Sequence, residues 1–189
     1  MPSPSVLLIL EGTYPFNGGG VSTWAHHLCN KVSNVDFKLY SINASFEKES
    51  KYELSDNISE VIQVPLWTPD EPYDYISYGE EYYKTVAKKE WTTDEVVEQK
   101  FIPLFKSLLE FIYSEDQNIE DLDIIFHQLW FYFEDYDYKE TIRNRHVWTA
   151  YRDTLAKFII GERNPDASLI DITIGLRWIY RFLIPSRKQ

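Results

Sequence analysis

Gly18, Gly19 and Gly20, followed at once by Val21 and Ser22, are the residues whose type and spacing best suit chemistry on an anion. A backbone without Cβ atoms lets its N–H groups come very close to another molecule. Where such a stretch opens a helix, the unpaired N–H groups and the positive end of the macrodipole together favour a phosphate or a carboxylate. Glycines in a strand-to-helix turn also serve the backbone alone, so the motif by itself leaves both readings open. Glu11 is the second candidate, because it closes an apolar run at the sheet edge where α/β proteins bind ligands.

These residues must be positioned by a strand before them and a helix after them. The run VLLILE (Val6 to Glu11) is short, continuous and apolar, and reads as a buried strand of a parallel sheet. Pro15 fixes φ and Asn17 tolerates left-handed geometry, so the chain turns between them and the glycines. From Val21 the apolar residues Val21, Trp24, Ala25, Leu28 and Val32 recur at three and four, predicting a helix that buries this stripe and turns Ser22, Asn30 and Ser33 outward. Strand, glycine loop and helix make half a βαβ unit. The dinucleotide fingerprint does not fit, since its glycines are spaced G-x-G-x-x-G. A P-loop does not fit either, since no lysine occurs before Lys31.

The string Glu11-Gly12-Thr13-Tyr14-Pro15-Phe16, then Gly19-Gly20-Val21-Ser22-Thr23-Trp24, resembles the N-terminus of the PelF-like glycosyltransferases, retaining GT-B enzymes that build bacterial exopolysaccharide from nucleotide sugars. Asp171 with Leu176-Arg177-Trp178-Ile179-Tyr180-Arg181-Phe182-Leu183 is similar to the helix that closes that family's N-terminal extension. The resemblance implies an α/β fold: a partial Rossmann-like N-terminal domain of the GT-B fold (1–65) with a large helical extension (66–189), forming one N-terminal glycosyltransferase domain. It implies that Gly18, Gly19, Gly20, Val21 and Ser22 contact the donor diphosphate or the acceptor; Glu11, from its place at the end of the first strand, would orient a sugar hydroxyl or brace the loop. The donor would be a nucleotide sugar such as UDP-glucose, with no further cofactor. The family's second Rossmann-like domain, which binds most of the donor nucleotide, has no counterpart in this sequence, and no catalytic residue is assigned. The expected partner is a chain or segment supplying that half, or another copy of this chain.

Composition agrees with a folded domain. Of 189 residues, 44% are hydrophobic and 16% aromatic, enough for a sizeable core. A net charge of -11 disfavours binding to a phosphate backbone, so nucleic acid is not an expected partner. The single cysteine, Cys29, excludes an intramolecular disulfide and reads as a small buried thiol. No basic segment with a following apolar run of secretory length opens the chain, and no stretch is long enough to span a bilayer, so a cytoplasmic location is expected. The sequons at Asn43 and Asn57 are then chance matches.

Further along, Asp36–Asn43 and Ser59–Pro65 alternate like strands, with a polar loop over Ala44–Asn57 between them. After Pro65 the chain is mostly helical. Thr93-Asp94 caps a helix that Pro103 should kink or split. Asp121–Phe133 is continuous enough for a strand, although the acidic run after it favours helix, and Asn144–Ile160 reads as a helix stopped by Gly161. Asp166 or Ser168 opens the last helix, whose stripe Leu169, Ile172, Leu176, Ile179 and Leu183 lies opposite Ile174, Trp178 and Phe182, so both faces call for burial. Three strands are few for a complete nucleotide-sugar domain, and an open sheet edge invites a partner. His26 and His27 point apart on a helix and cannot chelate together, so no metal is expected. His127 and His146 lie among aromatics and read as structural, and Glu134, Asp135 and Asp137 as a solvated acidic face.

Overall fold

A computed structural model of the chain describes residues 3–47, 49–68, 80–115, 117–158 and 168–183. These fall into two units, Met1–Asp70 and Glu71–Gln189.

The first unit is a three-stranded parallel sheet in the order β1 (Ser5–Glu11), β2 (Asp36–Asn43), β3 (Ile58–Pro65), with α1 (Gly20–Lys31) linking the first two strands. Leu8 pairs with Leu39 and Leu39 with Val61, so one pleat face carries leucines and valine toward α1. There they enclose a core of Leu10, Phe37, Leu39, Tyr14, Ala25 and Cys29. The other face carries Leu7 and Ile9, and these are 53% and 64% exposed. β1 is therefore buried on one face, not on both as its continuous apolar run suggests, and it forms an edge of the sheet.

The phase of α1 also differs from its apolar periodicity. Ser22, Ala25 and Cys29 are buried, while Val21 and Trp24 are 55% and 56% exposed. Small side chains let a helix lie close against a sheet, and here they outcompete the larger apolar stripe for the inward face. Asn57 ties down the far end of α1: its amide nitrogen lies 3.1, 2.9 and 3.0 Å from the carbonyl oxygens of Cys29, Val32 and Val35. Helix carbonyls left without intrahelical partners are satisfied in this way. The side chain of this sequon asparagine is thus already engaged in the fold.

The second unit is helical. α2 (Tyr82–Trp91) buries none of its side chains. It is followed by α3 (Asp94–Val96), a π-helical stretch (Val97–Phe101) and α4 (Ile102–Tyr113) in unbroken succession. Thr93 caps this run, its hydroxyl accepting from the Val96 N–H at 3.3 Å. Pro103 does not end the helical run: it sits in the first turn of α4, directly after the π turn, where a missing N–H is tolerated. α5 (Ile119–Asp135) settles the ambiguous Asp121–Phe133 stretch as helix, with Ile125, Leu129, Tyr132 and Phe133 inward. α6 (Tyr138–Arg143), α7 (Arg145–Phe158) and α8 (Leu169–Leu183) complete the unit. Gly161 and Asp166 lie outside the described residues.

Ser168 opens α8. Its hydroxyl accepts from the Asp171 N–H at 3.2 Å while the Asp171 carboxylate accepts from the Ser168 hydroxyl at 2.7 Å and the Ser168 N–H at 2.9 Å, and these two donors, the hydroxyl first, hold the Asp171 carboxyl below its ordinary value. Along α8 Leu176 and Leu183 are buried, Leu169 is exposed despite its place on the inner stripe, and Trp178 and Phe182 are partly open on the opposite side. Gly175 lets α8 approach α7: a Cβ there would stand 2.9 Å from the Tyr151 hydroxyl, which donates to the Ile172 carbonyl at 3.1 Å. Tyr151 is buried and cannot swing aside. Gly175→Ala is therefore expected to lower stability by about 1 kcal/mol, the overpacking cost of roughly 1–3 kcal/mol outweighing up to about 1 kcal/mol of helix propensity. Thermal unfolding checks this, with Tyr151→Phe added to relieve the clash; a raised midpoint in the single variant would contradict it.

Candidate functional site

The glycine turn is held from both sides. β1 ends at Glu11, and Gly12 takes a left-handed φ of 58° so that its N–H reaches the Ile42 carbonyl at 2.7 Å. The Thr13 carbonyl then accepts from Phe16 at 3.0 Å and Asn17 at 2.8 Å, closing a tight turn around a cis Tyr14–Pro15 peptide. Tyr14 is fully buried, its ring 5.8 Å from His26 and 5.3 Å from Tyr52. Burial, with Cys29 and Tyr52 beside it, pushes its hydroxyl up to about 12, so it stays a neutral plug. Ser22 does not face away: it is buried, and its hydroxyl donates to the Asn17 carbonyl at 2.5 Å.

Beyond this brace Gly18, Gly19 and Gly20 are all exposed. A Cβ on Gly19 or Gly20 would meet nothing within 4 Å. Gly19, the N-cap of α1, has φ 157° and ψ 175°, a region essentially reserved for glycine, and no side chain caps the helix. The first inward bond of α1 is Thr23 N–H to the Gly19 carbonyl at 2.9 Å, with the Thr23 hydroxyl on the same oxygen. Among the described residues the N–H groups of Gly18, Gly19, Gly20, Val21 and Ser22 donate to no protein acceptor. This is a cluster of free donors at the positive end of a helix of 12 residues.

The sequence does not reveal that the polar loop between β2 and β3 folds back on this turn. The Lys51 N–H donates to the Pro15 carbonyl at 2.9 Å and the Ser50 hydroxyl to the same oxygen at 3.3 Å. The Lys51 ammonium lies 3.8 Å from where a Gly18 Cβ would stand. A cation thus joins the free N–H groups, and no ion pair holds it among the described residues. Lys51 is 33 positions from Gly18, and no spacing rule connects them. Glu11 is exposed at the C-terminal end of β1, opposite Ile42 in the register, on the pleat face of Leu7 and Ile9. Val21 and Trp24 project beside the turn.

The remaining candidates do not join this site. Cys29 is buried, and burial pushes its thiol up, which keeps it unreactive. His26 is half-buried against Tyr52 at 5.0 Å, with the Asn30 amide 3.1 Å from its Nδ1. His127 is exposed beside Asp123 at 3.4 Å rather than packed among aromatics, and His146 is half-buried. Asp137 is not solvated: it is buried and caps α6, accepting from the Glu140 N–H at 2.8 Å, while Glu134 and Asp135 are exposed. Among the described residues no three His, Cys, Asp or Glu side chains converge on a metal position, and no helix is long and apolar enough to cross a membrane.

No curated protein and no solved structure matches the chain. One family model, described as a domain of unknown function (DUF3492), matches residues 4–188. That match takes in the sheet, the glycine turn and the helical unit alike, and the chain belongs to the DUF3492 family.

Proposed function

We propose that this chain is the N-terminal, acceptor-side part of a nucleotide-sugar-dependent glycosyltransferase of polysaccharide synthesis, with the partial Rossmann-like sheet as one lobe of a GT-B enzyme. The observation that carries the reading is the set of unclaimed N–H groups on the exposed residues Gly18 to Val21, at the carboxyl end of a parallel strand with the Lys51 ammonium beside them. Such an arrangement suits the diphosphate of a donor such as UDP-glucose or an anionic acceptor. The EGTYP and GGVSTW strings support the sugar chemistry by resemblance. A cytoplasmic location follows from this reading, since it is where the donor is taken to be available.

A docking or regulatory module of a polysaccharide-synthesis complex is the second reading. It is favoured by the open edge of β1 and the exposed Leu7 and Ile9, which ask for a further strand or a covering helix. The first reading supplies that cover as the rest of the enzyme; the second supplies it as another protein.

The two are separated by turnover. The purified chain is expected to show no hydrolysis or transfer from UDP-glucose, and transfer is expected only once a donor-binding half is supplied in the same chain or in trans. Turnover by the chain alone contradicts its role as a part. A reconstituted pair that binds the donor and transfers nothing favours the module.

A further inference from the structure

We infer that Tyr52 is the positioning residue of the anion site: its ring seats the connection between β2 and β3 so that Lys51 stands beside the glycine turn. The inference rests on the reading of that turn as an anion site and adds how its cation is put in place. Among the described residues of 44–57 there is neither helix nor strand, so no regular element fixes Lys51. Individual anchors must do it.

Two kinds of anchor flank Lys51. The first is polar: the Lys51 N–H and the Ser50 hydroxyl reach the Pro15 carbonyl, and the Ser50 hydroxyl also accepts from the Tyr52 N–H at 3.2 Å. Ser50 and Lys51 are exposed, and a hydrogen bond that water can replace contributes little net. The second is aromatic. Tyr52 is half-buried on the core of the sheet unit, its ring 5.3 Å from Tyr14 and 5.0 Å from His26. Tyr14 is fully buried within the turn, and His26 lies about two turns along α1 from Gly19, so one ring is fastened to both structures that carry the free N–H groups. Water does not replace buried ring area, so this seat decides where the connection sits. Further on, the Ser55 hydroxyl donates to the Cys29 carbonyl at 3.4 Å and Asn57 holds the end of α1, so losing the ring frees the stretch around Lys51 without undoing the rest. With its main chain pinned, Lys51 has only its stem left to rotate, and the ammonium already lies 3.8 Å from where a Gly18 Cβ would stand. A cation held ready loses less freedom on binding than one carried by a loose loop.

The test combines amide hydrogen exchange with calorimetric titration of pyrophosphate, both on the full chain. In the free chain Tyr52→Ala is expected to speed exchange of the Lys51 amide at least about tenfold, while the Gly12 amide, held by the Ile42 carbonyl, keeps its protection. In the titration Tyr52→Ala and Lys51→Ala are each expected to weaken binding about fivefold, the scale of one exposed charge pair, and the double variant no more than either alone. Tyr52→Phe keeps the ring and is expected to bind within about twofold of the unaltered chain. Unchanged exchange at Lys51, an equal rise at Gly12, a loss in Tyr52→Phe as large as in Tyr52→Ala, or losses that add in the double variant overturns the inference while the turn remains an anion site. Absence of pyrophosphate binding by the unaltered chain removes the anion site, and the positioning role with it.

Discussion

A chain carrying Gly20→Val is expected to bind pyrophosphate or UDP-glucose at least about tenfold more weakly than the unaltered chain, with little change in thermal stability. Gly20 begins α1, and a side chain there meets nothing of the protein within 4 Å, so valine occupies the space an anion would use without disturbing the fold. Gly19→Val should weaken binding as much and also destabilise the turn by about 1–3 kcal/mol, since φ 157° strains any L side chain. Lys51→Ala removes the cation and leaves the N–H groups, so its smaller loss should shrink further as salt is raised. Calorimetric titration of the three variants checks the order. Unchanged curves for both glycine variants would remove the turn from the account.

The largest loss of stability is expected at Phe101. This side chain is fully buried within the π-helical stretch, its ring 5.4 Å from Phe105, 5.2 Å from Tyr132 and 5.9 Å from Phe133. Phe101→Ala removes an aromatic from a packed cluster that cannot collapse around the space, at a cost of about 3–5 kcal/mol. Against a total stability of about 5–15 kcal/mol for an ordinary domain, that is a fifth or more of what holds the helical unit together. Urea unfolding monitored by helix content measures it. A loss below about 1 kcal/mol would mean that Phe101 is not the centre of this core.

Which parts of this architecture are legible from residue order follows from what periodicity measures. β2 was readable because its inward positions Phe37, Leu39, Ser41 and Asn43 alternate with half-covered ones, and its bounds are those its alternation predicts. The phase of α1 was not readable. A hydrophobicity count ranks Val21 and Trp24 above Ser22 and Cys29, whereas the sheet selects the small residues, because only they allow the helix to lie close. α2 and α6 were missed for a related reason: α2 buries nothing and α6 is a short turn, so neither leaves an apolar stripe to find. Pro103 predicted a break because sequence cannot foresee the π turn that accommodates it.

The glycine turn was legible as a turn, since three glycines before an amphipathic run have few other uses. Its surroundings were not. That Tyr14 plugs the loop, that Ser22 turns inward to Asn17, and that Lys51 returns to Gly18 are all consequences of tertiary closure over tens of residues. Asp137 shows the same limit in the helical unit, where an apparently solvated acid proves to be a buried cap.

The central claim is that the head of α1 receives an anion through its own main chain. The most direct measurement follows the backbone amide resonances of the full chain by nuclear magnetic resonance as pyrophosphate is added. The account predicts that the amides of Gly18, Gly19, Gly20, Val21 and Ser22 shift together and saturate at one concentration, and that those of the helical unit stay in place. Saturating shifts centred on other residues, with these five unmoved, would contradict it.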